Sequence, residues 1–321
     1  MGYTRLLMLF GVLMLLLLGS LVHGYSLTQT VEREHPPVGE FVIVDDLRLH
    51  YFDTGKSNSK NGESTVVLLH GASTSLLDFR QNLLTSLSPS HRVLAFDRPG
   101  LGYSDRAKTW ADPAEQARLI IQGLKQLGVD EAVWIGHSWA GSVVLAALLD
   151  HPEQVTAGVL LAGASHPWDS GVSWHVALSN QPVIGWLFNH LIVPIAGPRS
   201  LEGAVQSVFN PDLVPDGYIE ATGIRLSLRP QTFGHNAMDV YRLSNWLQEQ
   251  SARYESVTQP LLLITGTADT VVPSWNHAAR LSASVPTAVW HRLNGAGHAL
   301  HHSRPEEVVS QVQHFLSNRI R

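Results

Sequence analysis

Residues 41–318 predict an α/β fold built on a mostly parallel sheet, with a helical insertion and a separate apolar helix at the amino terminus. Three observations carry that expectation. Short β-type runs alternate with helical patterns from residue 41 onward. Most of those runs are continuously apolar, as strands covered on both faces are. Residues 165–245 break the alternation, with no clear strand of their own.

The elements follow in order. Met1-Gly2-Tyr3-Thr4-Arg5 gives a positive start, and residues 6–22 carry no charge. A helix of that length spans about 25 Å, the short edge of a bilayer's hydrocarbon core. Residues 1–24 therefore read as a transmembrane anchor, or as a signal peptide cut after Val22-His23-Gly24. Either reading carries the rest of the chain across a membrane, with Arg5 kept inside. The catalytic part would then be membrane-anchored on the non-cytoplasmic side, or exported if residues 1–24 are removed. Residues 25–40 read as a linker. Phe41–Val44 and Leu47–Asp53 form an opening hairpin around Asp45-Asp46, and Lys56–Ser64 is a polar surface loop. Thr65–His70, Arg92–Asp97 and Ala132–His137 are buried strands. Asp112 and Pro113 open a helix that Gly128 closes, with Leu119, Ile120, Leu124 and Leu127 on one face. Gly158–Gly163, Pro260–Gly266 and Ala288–Leu293 complete the strands. A last helix covers Pro305–Ser317, with Val308, Val309, Val312 and Phe315 inward.

The domain reading that results is 41–164 and 246–321 as two parts of one core, and 165–245 as a helical cap over the carboxyl edge of the sheet. Open α/β sheets bind ligands at that edge. Residues 165–198 hold a single charge, Asp169, beside Trp168, Trp174, Trp186 and Phe188. An apolar acyl or alcohol pocket fits such a segment. Residues 174–196 would also suit the surface of a bilayer.

Composition narrows the chemistry. With no Cys, the chain has no disulfide staple, thiolate zinc site, iron–sulfur cluster, cysteine nucleophile or lipidated Cys. Its 22 basic and 27 acidic residues give a net charge of −5, without a Lys/Arg stripe, which disfavours a nucleic-acid partner.

The strand Ala132–His137 runs directly into Ser138-Trp139-Ala140-Gly141 and an apolar helix. So abrupt a turn lifts its central residue above the sheet and needs small residues two positions either side, here Gly136 and Ala140. Ser138 is the expected nucleophile. A serine hydroxyl needs a base, and the base an orienting acid, in the chain order Ser, Asp/Glu, His. Asp269, just past the strand Pro260–Gly266, is the expected acid. His298, in the loop Asn294-Gly295-Ala296-Gly297-His298, is the expected base; with 17 His in the chain, its loop singles it out and its type does not. Asp169, past the preceding strand, is the rival acid. A metal held by His298, His301 and His302 is disfavoured, because the sequence supplies no acidic neighbour before Glu306 and a helix start there suggests solvent exposure. His137 reads as a structural neighbour pointing to the opposite face, and His70 as a hydrogen-bonded scaffold residue. The backbone amides of Trp139 and Ala72 are the expected donors to an oxyanion.

Together, His70-Gly71-Ala72-Ser73, Asp97–Asp105 (DRPGLGYSD), Gly136–Gly141 (GHSWAG), Gly266-Thr267-Ala268-Asp269 and Gly295-Ala296-Gly297-His298 resemble the α/β-hydrolase superfamily over roughly residues 40–318. The resemblance implies an eight-stranded, mostly parallel sheet, a triad of Ser138, Asp269 and His298, and no cofactor; no metal is expected either, on the residue grounds above. The DRPG segment is usually structural in that family. A serine at the nucleophile position disfavours the epoxide hydrolases and dehalogenases, which attack with Asp. The expected activity is hydrolysis of lipophilic carboxylic esters through an acyl-enzyme. The alternatives are a related C–C or amide hydrolase, or a catalytically silent fold that binds a small lipid or a partner.

Overall fold

Eight runs rich in Val, Leu and Ile pair into one sheet: β1 (Glu40–Val44), β2 (Leu47–Asp53), β3 (Val66–Leu69), β4 (Val93–Phe96), β5 (Ala132–His137), β6 (Val155–Leu161), β7 (Leu261–Gly266) and β8 (Ala288–Leu293). The computed structural model describes residues 2–55, 64–107 and 112–319. Of the surface loop expected at Lys56–Ser64, residues 56–63 thus lie outside the described residues. Strand order is β1-β2-β4-β3-β5-β6-β7-β8, with β1 and β2 antiparallel to their neighbours and the rest parallel. Asp45 and Asp46 both take positive φ, as a two-residue hairpin turn requires.

Alternate side chains on the strands feed two cores. Val67, Leu69, Leu94, Phe96 and Trp134 pack on one face against α2 (Pro113–Gln126) and α3 (Gly141–Asp150). Val66, Leu68, Val93, Ala95, Val133 and Ile135 pack on the other, against residues 76–87 and α7 (Pro305–Arg319). Asp112 caps α2 by accepting from the Glu115 amide at 2.8 Å, and Gly128 follows its end at φ +68°. The direction of winding reverses between β3 and β5, and the crevice outside their carboxyl ends is where such sheets bind ligands.

Over that crevice lie α4 (Trp174–Ser179), a helical run from Ile184 that continues into α5 (Val193–Phe209), and α6 (Pro230–Ser251). Leu201, Val205, Phe209, Tyr218, Ile224 and Leu228 form a third small core there. The expected boundary at 245 falls within α6, because its buried Leu243, Leu247 and Gln250 carry the helix onto the main core. β6 starts at Val155, three residues earlier than the run read from sequence.

The amino-terminal reading needs correction. A single helix, α1 (Gly2–Glu34), runs through most of the stretch expected to be a linker at 25–40. No Pro or Gly interrupts residues 25–35, and Pro36-Pro37 ends the helix. Its second half has partners that no local pattern shows: Val31 is buried, and Glu32 pairs with Arg229 at 2.9 Å.

Candidate active site

Three chain-distant side chains meet where β5, β7 and β8 end. Ser138 follows β5 directly and sits at φ +54°, a strained backbone position for a non-glycine residue. The tightness that imposes this is visible at Gly136: a Cβ there would stand 2.7 Å from the Ala140 carbonyl oxygen and from Val144. Ser138 Oγ–H donates to His298 Nε2 at 2.9 Å, and His298 Nδ1–H donates to Asp269 Oδ2 at 2.9 Å. The tautomer follows from chemistry, because an ionised carboxylate only accepts, so the ring proton belongs on Nδ1 and Nε2 is free to receive one. Asp269 is fixed in turn by the Val271 and Val272 amides, which donate to its Oδ1 at 2.8 and 2.9 Å. All three residues are buried. Asp169, the rival acid, lies exposed on the surface.

The donors expected for a developing oxyanion lie nearby. Trp139 begins the helical turn after Ser138, where the first amides have no partner within the helix. Ala72 lines the same cavity as Ser138 and His298. The loop carrying Ala72 approaches the serine closely, since a Cβ on Gly71 would come 3.1 Å from Ser138 Cβ. An arrangement of hydroxyl, imidazole, carboxylate and adjoining amides can form and discharge a covalent acyl intermediate.

The cavity above the serine has a volume of about 670 Å3. Its walls come mainly from the cap: Phe188, Val193, Leu201, Val205, Leu228 and Phe233 are examples. Among the described lining residues there is no Lys, Arg, Asp or Glu.

A profile of the α/β hydrolase fold matches residues 64–305. The chain belongs to the α/β-hydrolase family. An uncharacterized hydrolase of Bacillus subtilis is 27% identical over 290 residues, covering 87% of this chain and 98% of its own. A 2-hydroxy-6-oxononadienedioate/2-hydroxy-6-oxononatrienedioate hydrolase of Cupriavidus pinatubonensis is 27% identical over 295 residues, covering 87% of this chain and 95% of its own. Among solved structures, the enol-lactonase of Burkholderia xenovorans superposes with a TM-score of 0.68 at 19% identity, covering 87% of this chain and all (100%) of its own.

This α/β-hydrolase surrounds the relay with groups that local sequence did not reveal. The DRPG segment does hold structure together: Arg98, fully buried, donates to the carbonyls of His70 (2.9 Å) and Gly71 (3.2 Å) and pairs with Asp239 of α6 at 3.1 Å. Its guanidinium also covers the Trp139 ring at 4.1 Å, while Trp139 Nε1–H donates to the Asp239 carbonyl at 3.1 Å. Asn236 binds Ser73 from α6, accepting from its amide at 2.7 Å. The cap thereby grips the loop that carries Ala72. His70 is a scaffold residue: its Nε2 accepts from the Arg98 amide at 3.0 Å, and burial, then the Arg98 charge, pushes its imidazole down to about 4.

Two histidine readings change. His301 and His302, expected in solvent, are respectively buried and half-buried. Their acidic partner is Asp78, more than two hundred residues earlier, which accepts from His301 Nε2–H at 3.1 Å and His302 Nε2–H at 2.8 Å. Burial by itself would raise the Asp78 carboxyl, but these two imidazoles hold it well below the usual range. His137 does not point away from the site: its ring packs 5.0 Å from that of His298 and 4.3 Å from that of His301, and it lines the cavity. Burial, then the His301 and His298 rings, keeps it strongly neutral. Asp78, His137 and His301 place ligand atoms within 4.8 Å of one another, close enough to hold a metal ion. The hydrogen bonds from His301 and His302 engage the Asp78 carboxylate, whereas His137 Nδ1 and His301 Nδ1 are buried with no hydrogen-bond partner among the described residues. The sequence signal available was the His-x-x-His-His run itself; its partner lay in a distant turn.

Proposed function

We propose that the protein is a serine hydrolase of lipophilic carboxylic esters, with Ser138 as nucleophile, His298 as base and Asp269 as its orienting acid. Ser138 Oγ attacks the acyl carbon as its proton passes to His298 Nε2. Asp269 holds Nδ1–H and stabilises the imidazolium that results. The oxyanion forms against the Trp139 and Ala72 amides. The imidazolium then gives its proton to the departing alkoxide, leaving an acyl-enzyme. A water deprotonated by His298 attacks that ester, and collapse returns the proton to Ser138 and frees the acid. The observation that carries this reading is the 2.9 Å relay at the floor of an uncharged, cap-roofed cavity.

A second reading is C–C or lactone hydrolysis, which the names of the Cupriavidus and Burkholderia enzymes suggest. A dienedioate carries two carboxylates, and a buried carboxylate needs a cationic or hydrogen-bonding partner. Among the described lining residues no Lys or Arg neutralises two such charges, and hydroxyls such as those of Ser200 and Ser227 are the groups available instead, which favours an uncharged ester. We also read α1 as a retained membrane segment. Cutting after Gly24 would remove the bonds from Ser20 Oγ–H to the Leu191 carbonyl (2.9 Å) and from His23 Nε2–H to the Pro194 carbonyl (3.3 Å).

A fluorophosphonate probe and p-nitrophenyl esters of rising acyl length test the proposal together. Wild type is expected to label and to hydrolyse the esters, and Ser138→Ala to do neither while remaining folded. A folded wild type that never labels would instead favour a silent, ligand-binding fold.

A further inference from the structure

The roof of the cavity carries an unusual surface. Residues 170–198 contain no Asp, Glu, Lys or Arg. Val183, Ile184, Trp186, Ile192 and Ile195 are each exposed by between 42% and 74%. An apolar patch of this kind on a folded domain marks a place where something docks. Polar residues return one turn further along α5, where Arg199, Glu202 and Gln206 are exposed.

The occupant is indicated by what stands beside the patch. α1 meets the cap at this point: Ser20 bonds to Leu191, His23 to Pro194, and a Cβ on Gly24 would lie 3.1 Å from Pro194. The preceding part of α1 exposes Leu6, Leu7, Leu9, Phe10, Leu15 and Leu16, and α1 is the one helix among the described residues long and apolar enough to cross a membrane. The apolar half of that helix therefore abuts the apolar face of the cap. Exposed Tyr25, Trp174 and Trp186 lie on these same two segments. Amphipathic aromatic rings collect at the boundary between acyl chains and headgroups.

Part of the cavity's rim belongs to this face too. Trp174, 72% exposed, and Ile192, 49% exposed, both line the cavity above Ser138. We propose that the cap seats on a lipid bilayer with residues 183–195 in the headgroup boundary, α1 crossing the hydrocarbon beside them, and that the cavity takes its lipophilic ester directly from the membrane through the opening at Trp174 and Ile192. The substrate route rests on the ester-hydrolase reading above; the seating on lipid does not.

The test uses the full chain reconstituted in phosphatidylcholine vesicles, as wild type and as the double variant Ile184→Asn/Trp186→Ser, neither residue lining the cavity. α1 keeps both proteins on the vesicle, so loss of membrane binding does not confound the comparison. Both should hydrolyse soluble p-nitrophenyl butyrate alike. For vesicle-borne p-nitrophenyl palmitate the variant's KM should rise about tenfold or more, since two apolar side chains no longer enter the lipid boundary. Lipids brominated on the acyl chain should quench a fraction of wild-type tryptophan fluorescence that Trp186→Phe removes. Equal KM values on the vesicle-borne ester would overturn the substrate route, and quenching indifferent to Trp186 would overturn the seating. If wild type hydrolyses neither ester, the ester-hydrolase reading fails, and the quenching result still decides the seating.

Discussion

At the scale of single residues, the relay depends on which atom holds each proton. Asp269 can only accept, and it is clamped by two amides on one oxygen, so its other oxygen fixes the tautomer of His298. Asp269→Asn presents an amide in place of the carboxylate and favours the wrong tautomer. Its kcat on p-nitrophenyl butyrate should fall on the order of 10⁴-fold. Asp169→Asn, in solvent, should leave kcat within about twofold, as surface changes away from special features do little. The opposite ranking would move the orienting acid to Asp169. Sequence placed both acids past strand ends and could rank them only by architecture; what separates them in space is a 2.9 Å contact against an exposed surface position.

Among the elements, the decisive junction lies between α6 and the β3–Ser73 loop. Arg98 and Arg106 both pair with Asp239, at 3.1 and 2.7 Å, and Arg98 and Asp239 are wholly buried. Removing one member of such a group leaves an uncompensated buried charge, which costs about 3–5 kcal/mol. Asp239→Ala should lower the urea unfolding free energy by about that amount. It should also depress kcat, because the same guanidinium holds the His70 and Gly71 carbonyls beside the Ala72 amide. A variant that keeps wild-type stability would show the cap to be fastened elsewhere. α1 makes a similar point about elements. Its apolar first half was evident from residues 6–22, yet its continuation to Glu34 follows from packing on the cap and from the Glu32–Arg229 pair.

For the molecule as a whole, buried neutral imidazoles make stability depend on pH. His70 Nε2 accepts from the Arg98 amide, and His277 Nδ1 accepts from the Ser165 amide at 3.1 Å, so neither nitrogen has room for a proton. Burial first, then neighbouring groups, takes each ring down to about 4. In the unfolded chain each titrates near 6.5. Between those values the unfolded state binds protons that the native state refuses, so stability falls as pH drops from about 6.5 toward 4 and is recovered above that window. At pH 5 each group should cost about 2 kcal/mol relative to pH 7.5. Urea midpoints at the two pH values check this, and His70→Gln should flatten the slope. A midpoint that does not move on acidification would mean these rings gain protons without unfolding.

The alternation of strands and helices, the serine at the strand-to-helix turn and the order Ser, Asp, His were all set by sequence alone. Each is a local matter of side-chain periodicity, turn sterics and chain order, expressed within a few residues. Only the tertiary structure decided that His298 meets Asp269, that Asp78 reaches back to His301 and His302, that His137 lies beside the relay, and that α1 joins the cap. The pairings around Ser138 depend on strand order, which brings the ends of β3, β5, β7 and β8 to one edge. A buried polar group takes whichever partner that edge places within about 3 Å, however far away it lies in the chain.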